Sequence, residues 1–123
     1  MRAIRVKRVY DKPARGDGRR VLVDRLWPRG LKRESAEIDL WLKEVAPSAE
    51  LRRWFNHQPG RWHEFRKRYR AELAANAESV KTLRGALRGA RPVTLLFAAK
   101  DAERNNAVAL RDYLSARAGA TAR

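Results

Sequence analysis

The chain has no cysteine, a single methionine and only two histidines among its 123 residues. The missing cysteine removes disulfides, thiolate nucleophiles and Cys-type zinc sites together. His57 and His63, with no third ligand nearby, make no zinc centre, so neither a metal nor a cofactor is expected. Acid is scarce as well: 14 Asp and Glu stand against 29 Lys and Arg, for a formal charge of +15. No apolar stretch approaches the roughly 20 residues of a membrane span, so no membrane partner is expected. The N-terminus, MRAIRVKRVY, alternates charged and apolar residues and lacks the apolar core of a secretory signal. The expected setting is the cytoplasm.

What is present fits one domain over residues 1–123, with a tail expected to fray from Ala116. A chain of this length buries roughly two-thirds of its unfolded surface and folds without metal or disulfide. The charge is uneven. Residues 1–33 hold 12 Lys and Arg against three Asp, residues 34–60 are slightly acidic, and the rest is basic again. Arginine heavily outnumbers lysine, which fits a solvated basic surface as well as phosphate recognition.

Periodicity predicts an α/β fold: a small, mostly parallel sheet of about four strands flanked by helices, in a single domain. Ala3–Tyr10 alternates like a strand. Arg20–Arg25 contains a continuous apolar run, Val21–Val23, as in strands covered on both faces. Leu31–Glu37 reads as a short helix. Ile38–Val45 matches both periods and is read as a strand. Ser48–His57, Arg61–Ala74 and a segment capped by Asn76 read as helices. PVTLLFA at Pro92–Ala98 is the clearest strand, and a last helix is expected from Asp101.

The stretch Val21–Gly30, VLVDRLWPRG, ends a buried strand in a loop crowded with polar groups. In parallel sheets ligands sit beyond the carboxyl ends of the strands. There Asp24–Gly30, Pro47–Ser48 and Lys100–Asn106 are expected to converge. Arg25 and Arg29 carry guanidinium forks that match phosphate and carboxylate, Gly30 permits close backbone approach, and Trp27 either stacks on a ligand or packs. Asp24 is a general base or, more simply, the carboxylate that orients an arginine. His57, near the end of a helix, is a second proton-transfer candidate. Ser48 suits a helix cap. Asn105 and Asn106 are positioned to bond a ligand or local backbone.

VLVDRLWPRG, the DLWLKEVAPS of Asp39–Ser48, LRRWFNHQPGRW from Leu51 and LLFAAKDAERNNAVAL from Leu95 resemble, in order and spacing, the YeaO-like branch of the bacterial domain-of-unknown-function 488 family. The resemblance runs from about Ile4 to Leu114. It implies a small cytosolic α/β protein and brings no reaction with it. Another branch of that family has a cysteine at the end of the last strand and a Cys-His-Arg motif beyond it. Here Phe97 and then Arg104, Asn105 and Asn106 stand at those positions, so thiol chemistry does not transfer. The histidine that often precedes the paired asparagines in the YeaO-like pattern is Arg104 here.

Two functions follow as expectations. One is a pocket for a small anionic ligand, phosphate or carboxylate, built from Arg25, Trp27, Arg29, Gly30, Ser48, Asn105 and Asn106, with Asp24 and His57 as catalytic candidates if it is an enzyme. The other is nucleic-acid binding through the basic surface, chiefly Arg66, Lys67 and Arg70, without any of the familiar nucleic-acid-binding signatures.

Overall fold

A computed structural model describes residues 4–89 and 91–122, with side chains as far as Ala116. Four strands, β1 (Ile4–Arg8), β2 (Arg19–Leu22), β3 (Leu40–Trp41) and β4 (Val93–Phe97), form one sheet in the order β1–β4–β2–β3. Every neighbouring pair is parallel, with Ile4 and Arg19 both opposite Val93, and Val21 opposite Leu40. The central position of β4 explains its unbroken apolar sequence, since all five of its residues are buried.

The two faces of the sheet are covered differently. Val21, Val23, Val93, Leu95 and Phe97 point into the larger core. The helices α2 (Ala49–Phe55), α3 (Trp62–Ala75), α4 (Ala77–Ala86) and α5 (Asn106–Ala122) supply the rest of that layer, through Phe55, Phe65, Tyr69, Leu83 and Leu110. The opposite face presents Val9, Leu22 and Leu96 to a thin cover of Trp27, Leu31 and Ile38, drawn from the long connection between β2 and β3, together with Trp41 of β3. That connection holds one short helix, α1 (Arg33–Ala36). No helix among the described residues is long and apolar enough to cross a membrane.

A buried ionic knot fastens the thin cover to the sheet. Arg20 is only 3% exposed and points to this face by strand alternation. Its guanidinium donates to Asp17 Oδ2 at 2.5 Å and to the carbonyls of Ala36 and Glu37 at 2.9 Å each. Lys7 reaches the same carboxylate at 3.1 Å, and the Ala14 N–H donates to it at 3.0 Å. Burial alone pushes the Asp17 carboxyl up, but the Ala14 amide, Lys7 and Arg20 together outweigh it and hold it below the usual carboxylate range. The chain can turn into β2 here because residue 18 is glycine. Its φ is 65°, and a Cβ would run into the Pro92 carbonyl.

Three sequence expectations shift. The third strand shrinks from Ile38–Val45 to Leu40–Trp41, because Lys43–Val45 turns into a 3-10 segment. The last helix begins at Asn106 rather than Asp101. Asp101 instead accepts the N–H groups of Glu103 and Arg104 in a local turn, while Asn105 Oδ1 caps the helix by accepting the Val108 N–H at 3.0 Å. Asn76 precedes α4 without a side-chain cap; its amide donates to the Glu44 carbonyl. The tail expected to fray from Ala116 lies, past that residue, outside the residues whose side chains are described.

Arg20→Ala strips Asp17 of its closest partner and leaves two carbonyls unpaired. The expected cost is about 3–5 kcal/mol of unfolding free energy, read by urea denaturation. A loss below about 1 kcal/mol, the range of exposed pairs, contradicts a buried knot.

Candidate functional site

At the carboxyl edge of the sheet the chain leaves β2 through Val23 and Asp24. Asp24 is flanked by the two elements that follow it in space. Its Oδ2 accepts the Ala98 N–H at 2.9 Å, just beyond β4, and its Oδ1 accepts Asn106 Nδ2 at 3.0 Å, in the first turn of α5. The same Asn106 amide also donates to the Val23 carbonyl at 3.1 Å. The Asp24 carbonyl in turn accepts the Trp41 indole N–H at 2.7 Å, which ties in the end of β3. One residue therefore joins β2, β3, β4 and α5. Burial raises the Asp24 carboxyl above its ordinary value; the Asn106 amide, the Ala98 amide and the charge of Arg52 offset part of that rise.

Among the described residues no ion pair joins Asp24 to Arg25 or Arg29. The carboxylate expected to orient an arginine orients an asparagine and a backbone amide instead. The two side chains leave toward different helices of the same layer, Asp24 toward the start of α5 and Arg25 toward α3. Arg25 turns toward the α3 side, donates from Nη2 to the Ala46 carbonyl at 3.1 Å, and leaves its buried Nε without a partner among the described residues.

Arg25 lines a small cleft of about 110 Å³ with Glu44, Ala46, Ser48, Glu72 and Asn76. Ser48 is the N-cap of α2, its Oγ accepting the Leu51 N–H at 3.1 Å. The Ser48 hydroxyl donates to Glu72 Oε2 at 2.6 Å and its N–H donates to Glu72 Oε1 at 2.9 Å. Tyr69 also borders the cleft and its hydroxyl donates to the Val45 carbonyl. Burial, with the nearby charges of Glu72 and Asp24, pushes that hydroxyl far above the usual phenol range, while Arg25 opposes the rise. Tyr69 is therefore a neutral donor and a rigid wall.

The remaining candidates lie elsewhere. Trp27 packs edge-on against Trp41 with ring centres 5.6 Å apart, donates its indole N–H to the Leu31 carbonyl at 2.8 Å, and carries Arg33 on its outer face. It roofs the thin core. Arg29 is exposed on the same loop, where its carbonyl accepts the Tyr10 hydroxyl at 2.8 Å. Gly30 has φ of 75° and nothing within 4 Å of a would-be Cβ, so it serves the turn rather than a close approach. His57 is exposed, follows Asn56 in a left-handed turn (φ 45° and 52°), and borders neither cleft of the described residues. Asn105 is buried and spends its amide on the Asp101 carbonyl at 2.9 Å.

The structure thus brings Asp24 together with Asn106, and Arg25 with Ser48, and leaves Arg29, Gly30, His57 and Asn105 apart from both pairs. Glu72 and Arg52 escaped the sequence reading, and Asn76 was read there only as a helix cap. The signal for Glu72 was weak, since it is one of two acids, with Glu64, on a strongly basic helix. Among the described residues no group of three His, Asp or Glu side chains is placed to hold a metal ion.

A family model described as the inactive DUF488-N3 subclade matches residues 3–122. The chain is 44% identical over 111 residues to the uncharacterized protein YeaO of Escherichia coli, covering 90% of this chain and 96% of that protein. It is 41% identical over 114 residues to the uncharacterized protein Rv3073c of Mycobacterium tuberculosis, covering 93% and 95% respectively. No solved structure matches.

A carboxyl raised by folding binds its proton more tightly in the folded than in the unfolded chain. Stability from Asp24 therefore falls as pH climbs from the unfolded value, near 3.8, through the folded one, and is constant above it. Measured by urea denaturation, the stability of the wild type relative to Asp24→Asn should decline over that window and then level. A relative stability that grows with pH instead marks a carboxylate held low by an arginine.

Proposed function

The chain belongs to the domain-of-unknown-function 488 family, in the subclade described as inactive DUF488-N3, and on that premise we propose that it is a non-catalytic cytoplasmic protein that binds a small anion at the carboxyl edge of its sheet. The observation that carries this reading is Arg25. It commits one N–H to the Ala46 carbonyl, keeps a buried Nε without a partner among the described residues, and faces a cleft. A guanidinium with unused donors in a half-buried recess is a fork for one carboxylate or phosphate group. The cleft of about 110 Å³ takes such a group and little more.

Glu44 and Glu72 also line the cleft and their charges oppose an anion there, but both Glu72 oxygens are held by Ser48 and leave the free Arg25 donors to the ligand. Proton transfer is disfavoured by the same economy of donors and acceptors. Both Asp24 carboxylate oxygens are occupied, and His57 stands outside the cleft. The word "inactive" in the description of the subclade agrees with that.

Phosphate and acetate titrations followed by amide NMR test the reading. The largest shifts are expected at Arg25, Ala46 and Ser48. Arg25→Ala should abolish them, Arg25→Lys should weaken binding about tenfold for want of the planar fork, and Arg29→Ala should leave them alone. Shifts spread over the whole arginine surface and unchanged in Arg25→Ala refute it.

A second reading, nucleic-acid binding, is favoured by one feature of α2 and α3. Trp54 is half-buried with Arg68 at 4.1 Å and Arg61 at 5.3 Å from its ring centre, and Arg66 lies 5.9 Å from that of Trp62. Interleaved arginine and tryptophan are what a stacked single strand uses. Binding of a fluorescent single-stranded oligonucleotide should then weaken steeply with salt. Removing Arg61 and Arg68 should flatten the log–log slope by about 0.7 for each phosphate that is no longer neutralised. No binding at low salt ends this reading.

A further inference from the structure

A second concavity lies between α3 and α5, with a volume of about 300 Å³, at the lower end of the range for small-molecule sites. Its floor is apolar and already packed, formed by Tyr69, Leu73 and Ala109, none more than 6% exposed. Ala109 and Ala116 lie seven residues apart on one face of α5 and leave the space open. Tyr113 stands at the side, half-buried, and its hydroxyl has no hydrogen-bond partner among the described residues.

The rim is positive. Arg70 is exposed and makes no ion pair or hydrogen bond among the described residues. Arg66 touches Asp112 only at 3.4 Å, and Asp112 is shared with Arg111 at 3.3 Å. Two arginines therefore share one aspartate, and Arg66 and Arg70 border the groove together with Asp112.

We propose that this groove is a ligand site for a small organic anion that carries a flat ring. The ring covers the Leu73, Ala109 and Tyr113 surface. The anionic group lies between Arg70 and Arg66, drawing Arg66 from its long contact with Asp112. A bare inorganic ion leaves half-buried Tyr113 and exposed Ala116 in water, and a neutral ring leaves the two arginines without an anion, so neither satisfies the groove. The site is separate from the Arg25 cleft, which lies on the far side of Tyr69 and Leu73, the residues the two concavities share.

Isothermal titration of the full chain with adenosine monophosphate, with indole-3-acetate and with inorganic phosphate tests this. At least one ring-bearing anion should bind with one-to-one stoichiometry and about tenfold more tightly than phosphate, since the ring adds apolar burial. The better of the two says whether the groove prefers a phosphate or a carboxylate. Arg70→Ala should weaken that binding about tenfold or more, as expected for removal of a charge-assisted bond. Ala116→Leu should block it sterically, in the wild type and equally in an Arg25→Ala background that lacks the other anion cleft. Arg70 and Ala116 are both exposed, so circular dichroism should show both variants folded. The proposal is overturned if neither ring-bearing anion binds better than phosphate, or if Arg70→Ala and Ala116→Leu bind as the wild type does.

Discussion

A parallel sheet has no hairpins to close its edge, so its carboxyl end must be held by side chains. Here one carboxylate does most of that. Asp24 accepts from the backbone just past β4 and from Asn106 at the start of α5, while its carbonyl receives the Trp41 indole beside β3. Taking a carboxylate out of water is costly, and the shift of its titration upward is the sign of that cost. The cost is tolerated because each carboxylate oxygen meets a donor. Remove the carboxylate and the Ala98 amide loses its partner, while the Asn106 amide keeps only the Val23 carbonyl, at the point where four elements meet.

The amino edge is held by the opposite electrostatic solution. Asp17 is kept ionised by Lys7, Arg20 and a backbone amide, and the knot pins the thin cover over Leu22 and Leu96. The cover needs such a fastening because it offers few apolar side chains of its own. The basic excess has a structural share too. Each of the four tryptophans is faced by a cation: Trp27 by Arg33, Trp41 by Lys43, Trp54 by Arg68 and Trp62 by Arg66. These half-buried rings gain a cover that is apolar along its stem and solvated at its head. Some of the charge that first reads as a nucleic-acid signal is therefore the lid of the core, although Arg70 has no such duty among the described residues.

The fold was legible because continuous apolar runs such as Val21–Val23 and Val93–Phe97 have one comfortable place, inside a parallel sheet. The alternation at Ile4–Arg8 and the helical stripe Phe65, Tyr69, Leu73 were equally plain. Ile38–Val45 was not, since its apolar residues fit both periods and the strand there is only two residues long. At the candidate site, sequence proximity misled. Asp24 and Arg25 are neighbours in the chain but diverge in space, and the true partner of Asp24 stands 82 residues away. Ser48 was readable as a cap, but its bond to Glu72 depends on how α2 sits against α3. No local pattern encodes that.

The central claim is that Asp24 organises the sheet edge through Asn106 rather than serving as a proton-transfer group. A double-mutant cycle on stability at neutral pH, with Asp24→Asn, Asn106→Ala and the pair, measures it directly. The predicted coupling is about 1–2 kcal/mol, as for directly bonded residues sharing one network. Additive losses, with a coupling indistinguishable from zero, contradict it.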